Sequence, residues 1–539
     1  LKDAYSMMKF ILASIAIFAF TASSASSGLS TPQPPLVLPI VAYTGIQMFD
    51  TANIKTADEY LILRNLFSPL FDTADNGELQ GVLAESSQWV GDTVQIRLRD
   101  GLRTLDGHPI TALDAAFSLK RLLVLGKNTH ARLGDVFPSC RGITSPHQEC
   151  ADITAADQNV LILRPENEKI WLLDTLTSQD FAIIPSGSVD PKTWAIIDYR
   201  NTSGPYAVTQ ADPVSGFVAV ANPGHPLFQS NPEHPLEIFF KAFATADLGA
   251  LPEKFIAKEF NYYPKYFIPS SAQIAKIMKD QGSTDVRVHE TELNFTRVLR
   301  FTKRGLMELT EAQRFALGNR ITAAYRKHFS ASGAQMMETT SFYSPSADGA
   351  LSKSEIAAID ARRKAAGLGA AFTGAAADAA HEEGAVSVLL TAGCFEGSKS
   401  SIQTAIEPSA LGFELVEYID VIANKRSDTK QIMEPHFYLT AMDADPKASL
   451  SGITNVVQSM YFHDDQSVID SWLKSYANEQ SRETRLNMLR KAHFNALNSA
   501  YLVPIYSTAS ALMVRKPWDP ADYPQRNIVD ALWLLKRSY

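Results

Sequence analysis

Thr93-Val94-Gln95-Ile96-Arg97-Leu98-Arg99 runs into Asp100-Gly101-Leu102, then Asp106-Gly107-His108-Pro109-Ile110-Thr111-Ala112, and ends on Phe117-Ser118-Leu119-Lys120-Arg121-Leu122. Strict alternation over 93–99 predicts a strand with Val94, Ile96 and Leu98 on its buried face. Asp100-Gly101 and Asp106-Gly107 are turn dipeptides. Thr111 in N-cap position opens an amphipathic helix over 111–122. A strand, two turns and a helix in close succession set the texture of an α/β protein.

The same texture extends to both sides. Leu36 to Tyr43 is a short apolar run bounded by Pro and Gly and reads as a buried strand. Ala57 to Leu70 reads as a helix, and Leu309 to Phe329 as a longer one rich in Arg and Ala. Val386 to Leu390 reads as a strand, Ser401 to Glu407 as a short helix closed by Pro408, and Phe413 to Tyr418 as another strand. Those three make a β-α-β unit, and ligands of such sheets bind in a crevice at strand ends.

A chain of 539 residues exceeds what one hydrophobic core organises, so two or more lobes are expected. Hydrophobic residues at 45% and charged residues at 20% fit a globular chain, and no stretch reaches the roughly 20 apolar residues of a membrane span. A formal net charge of -8 gives phosphate backbones little to hold, which argues against nucleic acid as a partner.

Met8-Lys9, the apolar run Phe10 to Phe20 and the small residues that follow have the form of a secretory signal, with Ser23 and Ala25 at the −3 and −1 positions of a cleavage site. Residues 1–25 are therefore expected to be removed on export, and no Cys follows to take a lipid. Cys140 and Cys150 lie in a segment rich in turn formers; they either close a small disulfide loop or stay as two free thiols, and Cys394 is left over.

Signatures of catalysis are missing: there is no HExxH helix, GxSxG elbow, Lys-bearing phosphate loop or zinc-spaced Cys/His cluster. His381-Glu382-Glu383 lacks a second His, and Asp443-Ala444-Asp445 lacks the Gly and terminal Glu of a calcium loop. A binding protein without enzymatic activity, cofactor or metal is the expectation.

Several segments, in order, resemble the extracytoplasmic solute-binding proteins of the oligopeptide/dipeptide (family 5) ABC transporter type. They are Thr44 to Asp50, Arg64 to Asp72, Leu83 to Ser86, the 96–122 block, Ser203-Gly204-Pro205-Tyr206 with Asn222-Pro223, Arg314 to Leu317, and Val503-Pro504-Ile505-Tyr506. The likeness runs from about residue 40 to 510.

That resemblance implies a large, type II, periplasmic-binding-protein-like two-lobed α/β fold with a hinge and an extra subdomain. Lobe one would take 36–235, with an inserted subdomain at about 76–195; lobe two would take 236–495, and 496–539 would return to lobe one. The implied function is capture of a peptide or other small ligand by a monomeric periplasmic protein that feeds an ABC permease; a sensory binding protein of the same fold for a non-peptide ligand is the alternative, and a secreted hydrolase, resting on scattered carboxylates, the remote one. The implied ligand contacts are Gln47, Met48 and Phe49 on the opening strand, for which core packing is the other role open and for Phe49 the favoured one, and Thr440, Met442, Asp443 and Asp445 in His436 to Pro446. Asp443 would pair with the ligand's ammonium, while Thr440 stands where the family has Trp. A turn cap before Pro446 is the other role open to Asp443 and Asp445.

Overall fold

The computed structural model describes residues 33–264 apart from 42, 44, 55, 75–77, 126–132, 168, 170–171, 229–230, 245–246 and 248–249; then 277, 285–332, 337–343, 347–368, 386–390, 413–417, 437–443, 466–520 and 531–537. The strands are β1 (Leu36–Val41), β2 (Phe71–Thr73), β3 (Leu79–Gly81), β4 (Ala84–Val90), β5 (Thr93–Leu98), β6 (Ile153–Ala155), β7 (Val160–Leu163), β8 (Tyr206–Asp212), β9 (Gly216–Ala221), β10 (Glu237–Phe243), β11 (Tyr262–Tyr263), β12 (Val286–Phe301), β13 (Val386–Leu390), β14 (Phe413–Glu417), β15 (Phe437–Asp443) and β16 (Leu502–Arg515).

Three larger sheets organise them. The first has the order β1-β10-β9-β8, with β1 and β10 parallel. The expected lobe boundary at 236 thus falls just before β10, which pairs in this sheet. A second, antiparallel sheet, β4-β5-β7-β6, lies within 84–163 and is covered by the helix Ala112–Leu125. The third is mixed, β11-β16-β12-β15-β13-β14, with β13 parallel to both β14 and β15.

The opening block folds as its pattern predicts. Val94, Ile96 and Leu98 are fully buried with Leu119, Leu161 and the two bonded cysteines. Removing each such side chain from water stabilises the fold by roughly 1.5–3 kcal/mol. The helix Ala112–Leu125 begins differently from a simple Thr cap: the Thr111 hydroxyl donates to the Asp114 carboxylate at 3.1 Å, which also accepts the Thr111 N–H at 3.0 Å. Of the two open states of the cysteines, the disulfide is the one formed, with Cα atoms 5.0 Å apart. Cys394 lies outside the described residues.

The early helix spans Ala57–Leu66 and stops short of Leu70. Pro69 disfavours helical backbone at Ser68 and cannot donate a helical hydrogen bond. The chain end released there meets Gly204, whose N–H donates to Leu66 O at 2.8 Å; a Cβ at 204 would come within 2.4 Å of the Leu66 carbonyl carbon. Only glycine permits that approach, which places the buried Tyr206 beneath the turn.

β12 and β16 connect two hydrophobic cores. At one end Leu512 and Val514 enter the core of the first sheet, with Leu38, Ile40, Phe217 and Phe240, while Val286 and Met513 pack with Val41 and Phe243. At the other, Val298 and Leu502 enter a core of helical residues that includes Leu473, Tyr476, Leu489 and Leu497. Sixteen residues of extended chain reach about 50 Å, enough to cross between cores. Register shifts at Glu290/Leu293 and Leu293/Phe295 interrupt the pairing partway, and a third, at Arg297/Val298, lies where Pro504 pairs with Val298. A proline in a central strand needs such an irregularity. The expected return segment 496–539 therefore first pairs inside the third sheet. The expected β-α-β unit has its two strands in parallel register, and its helix at 401–407 lies outside the described residues. Among the described residues no helix is long and apolar enough to cross a membrane.

Candidate functional site

Gln47, Met48 and Phe49 do not lie on the opening strand. The strand ends at Val41, and Ile46–Met48 forms one 3-10 turn. Gly45 takes a φ of +117°, a conformation side-chain-bearing residues rarely adopt, and this reverses the chain. The turn sorts the three residues: Gln47 and Met48 face outward, Met48 being 70% exposed, whereas Phe49 is 6% exposed and packs in the core. Phe49 takes a core position, the role favoured for it beside the ligand contact, with its ring centroid 6.2 Å from that of Tyr43.

Polar groups behind the turn hold its backbone. The Tyr43 hydroxyl accepts the Ile46 N–H at 3.1 Å. Tyr199 donates its hydroxyl to the Phe49 carbonyl, and burial, reinforced by the nearby Asp50 carboxylate, raises its pKa and keeps it a donor. Asp50 caps the next turn, Thr51–Asn53, by accepting the Ala52 N–H at 2.9 Å. Its other carboxylate oxygen accepts from Arg121, a guanidinium only 1% exposed, whose Nε donates to the Trp194 carbonyl at 2.6 Å.

The second group of expected contacts lies on β15, antiparallel to β12. Thr440 is in register with Val298, Met442 with Thr296, and Asp443 with Phe295. Thr296 is buried and its hydroxyl is 2.8 Å from that of Ser507 on β16. Asp445 lies outside the described residues.

Arg121, Asp50 and Tyr199 were not among the residues the sequence put forward for the site. The signal available was Arg121 one helical turn after the buried Phe117, a charge on an apolar face. Its partner is 71 residues away, which no local pattern reveals.

One buried pair has the residue types of a hydrolase. Ser68 Oγ lies 3.1 Å from His225 Nε2, but His225 Nδ1 accepts the Leu227 N–H at 3.3 Å, so the ring proton sits on Nε2, which also hydrogen-bonds the Ser203 backbone. A base that activates a serine needs the opposite arrangement. Among the described residues no three His, Cys, Asp or Glu side chains are grouped to hold a metal ion.

Residues 78–302 match the family model described as bacterial extracellular solute-binding proteins, family 5 middle. No curated protein matches the chain. Solved structures align over 94% of it: the murein tripeptide binding protein MppA of Escherichia coli (16% identity, 99% of that chain, TM-score 0.67), the periplasmic binding protein DppA of Helicobacter pylori in complex with the peptide STSA (13%, 98%, 0.69), and the binding protein AgaA of A. tumefaciens in complex with agropinic acid (14%, 99%, 0.67). The chain has their two-lobed α/β fold.

Proposed function

We propose, for a chain with the periplasmic-binding-protein fold and the family 5 match over 78–302, that it captures a peptide or peptide-like small ligand between its lobes for an ABC permease. On this reading the protein is exported, acts in the periplasm as a monomer and catalyses nothing. The observation that carries it is the turn at 45–49, whose backbone is held from behind while Gln47 and Met48 face outward. A surface held in shape before the ligand arrives loses little conformational entropy on binding. Support also comes from the fold relatives, one in complex with the peptide STSA and one with agropinic acid. Asp443, in register with Phe295 on a central strand, is the proposed partner of a ligand ammonium, with Thr440 and Met442 beside it and Asp445 just beyond.

Native mass spectrometry of the purified protein tests the reading. A co-purifying set of peptide masses is expected, and Asp443→Ala should lower their retention at least tenfold. A protein that carries no small molecule and takes up none from a peptide mixture overturns it; a single non-peptide species moves the ligand class and removes the role of Asp443.

A further inference from the structure

The geometry points to Arg121 as a positioning residue for the turn that carries Gln47 and Met48, an inference that rests on the ligand-facing role proposed for that turn. Arg121 belongs to the helix Ala112–Leu125, which packs on the β4–β7 sheet, while Asp50 ends the 45–49 turn of the other core. One guanidinium spans the two. It contacts the Asp50 carboxylate through Nη2 and the Trp194 carbonyl through Nε, a two-pronged grip that the single ammonium of lysine does not reproduce.

Trp194 is itself held in an unusual state. Its φ of +59° lies in the left-handed region, a strained choice for a large side chain, and the Trp194 N–H donates to Asp190 O at 2.9 Å. Its ring centroid lies 6.4 Å from Phe117 and 5.5 Å from His147, a residue of the loop closed by Cys140 and Cys150. Arg121 is thus fixed on one side by a constrained carbonyl and on the other fixes the carboxylate that caps Thr51–Asn53. Nothing in this chain of contacts needs Arg121 to touch a ligand.

Hydrogen–deuterium exchange of the whole protein, without ligand, reads the turn directly. In Arg121→Met, amides of 46–54 should exchange at least tenfold faster while those of 206–221 and 502–515 keep their protection. Arg121→Lys retains a cation for Asp50 and gives up the Trp194 contact, so about threefold faster exchange is expected; it also serves if the Met variant does not fold. Unchanged exchange at 46–54, or equal acceleration in every segment, overturns the inference. Native mass spectra of the same preparations supply a reading that a merely structural role would not move: the ligand-loaded fraction should fall at least fivefold in Arg121→Met and partly recover in Arg121→Lys. Where the wild type carries ligand, equal loading of Arg121→Met also overturns it. A wild type that is itself empty counts against the proposed function, and the exchange data then decide the role of Arg121 by themselves.

Discussion

Three buried histidines, His225, His234 and His493, are held below their ordinary pKa by burial, and two of them are shifted far. Burial pushes the His225 imidazole down to about 3 and that of His493 down to about 4. His493 clusters with the rings of Phe342 and Tyr343, with centroids at 4.2 and 4.5 Å, and its Nδ1 is 3.1 Å from the Gly349 carbonyl. In the unfolded chain both titrate near 6.5, so the unfolded state binds more protons as pH drops below that value. Their stabilisation is complete above pH 6.5 and is lost progressively as pH falls towards the folded values. The steepest combined slope is about 2.7 kcal/mol per pH unit. Thermal unfolding followed from pH 7.5 to 5 should show a flat region and then a fall beginning near 6.5. His493→Phe, which keeps a ring against Phe342 and Tyr343, should remove part of that fall; a melting temperature constant down to pH 5 contradicts this account.

At the scale of elements, the loop closed by Cys140 and Cys150 offers a clean measurement. With ten residues of separation, the bond restricts the unfolded chain by about 3 kcal/mol. Cys140→Ser/Cys150→Ser should lose about that much in urea unfolding monitored on the 84–163 layer, and a loss below 0.5 kcal/mol contradicts the entropic account. The pattern of β5, the turns after it and the helix from 112 are legible because each is decided by neighbours within a few residues. The segment 46–49 is not: the resemblance put Gln47 to Phe49 on the opening strand, and the chain turns there because Gly45 takes a positive φ and the Tyr43 hydroxyl takes the Ile46 N–H. The helix end at Leu66 was half legible, since Pro69 was visible but the docking of Gly204 on Leu66 was not. Of the candidate site, neither the outward turn that carries Gln47 and Met48 nor the ion pair behind it was legible, since the pair joins segments that only the fold brings together.

For the molecule as a whole, β16 is the keystone. It lies between β11 and β12 in the third sheet, and its ends enter both cores. A chain stopped after Asn498 keeps the helices of the second core yet lacks the strand that pairs along β12 from Val286 to Arg300. Near-ultraviolet circular dichroism of that chain should be flat, and its thermal scan should show no cooperative transition for the second core. A sharp melt like that of the full protein would mean that β12 finds another partner.

Translation adds a clock to this arrangement. Residues emerge from the ribosome in order, so β12 is exposed for some two hundred residues of synthesis before its long partner exists. Throughout that interval the nascent polypeptide has an unsatisfied strand edge and an unfilled apolar layer, the kind of surface that chaperones hold and that favours aggregation when they are absent. Commitment to the native state comes late, because the longest pairing of the third sheet waits for residues 502–515 while the early segments are encoded locally.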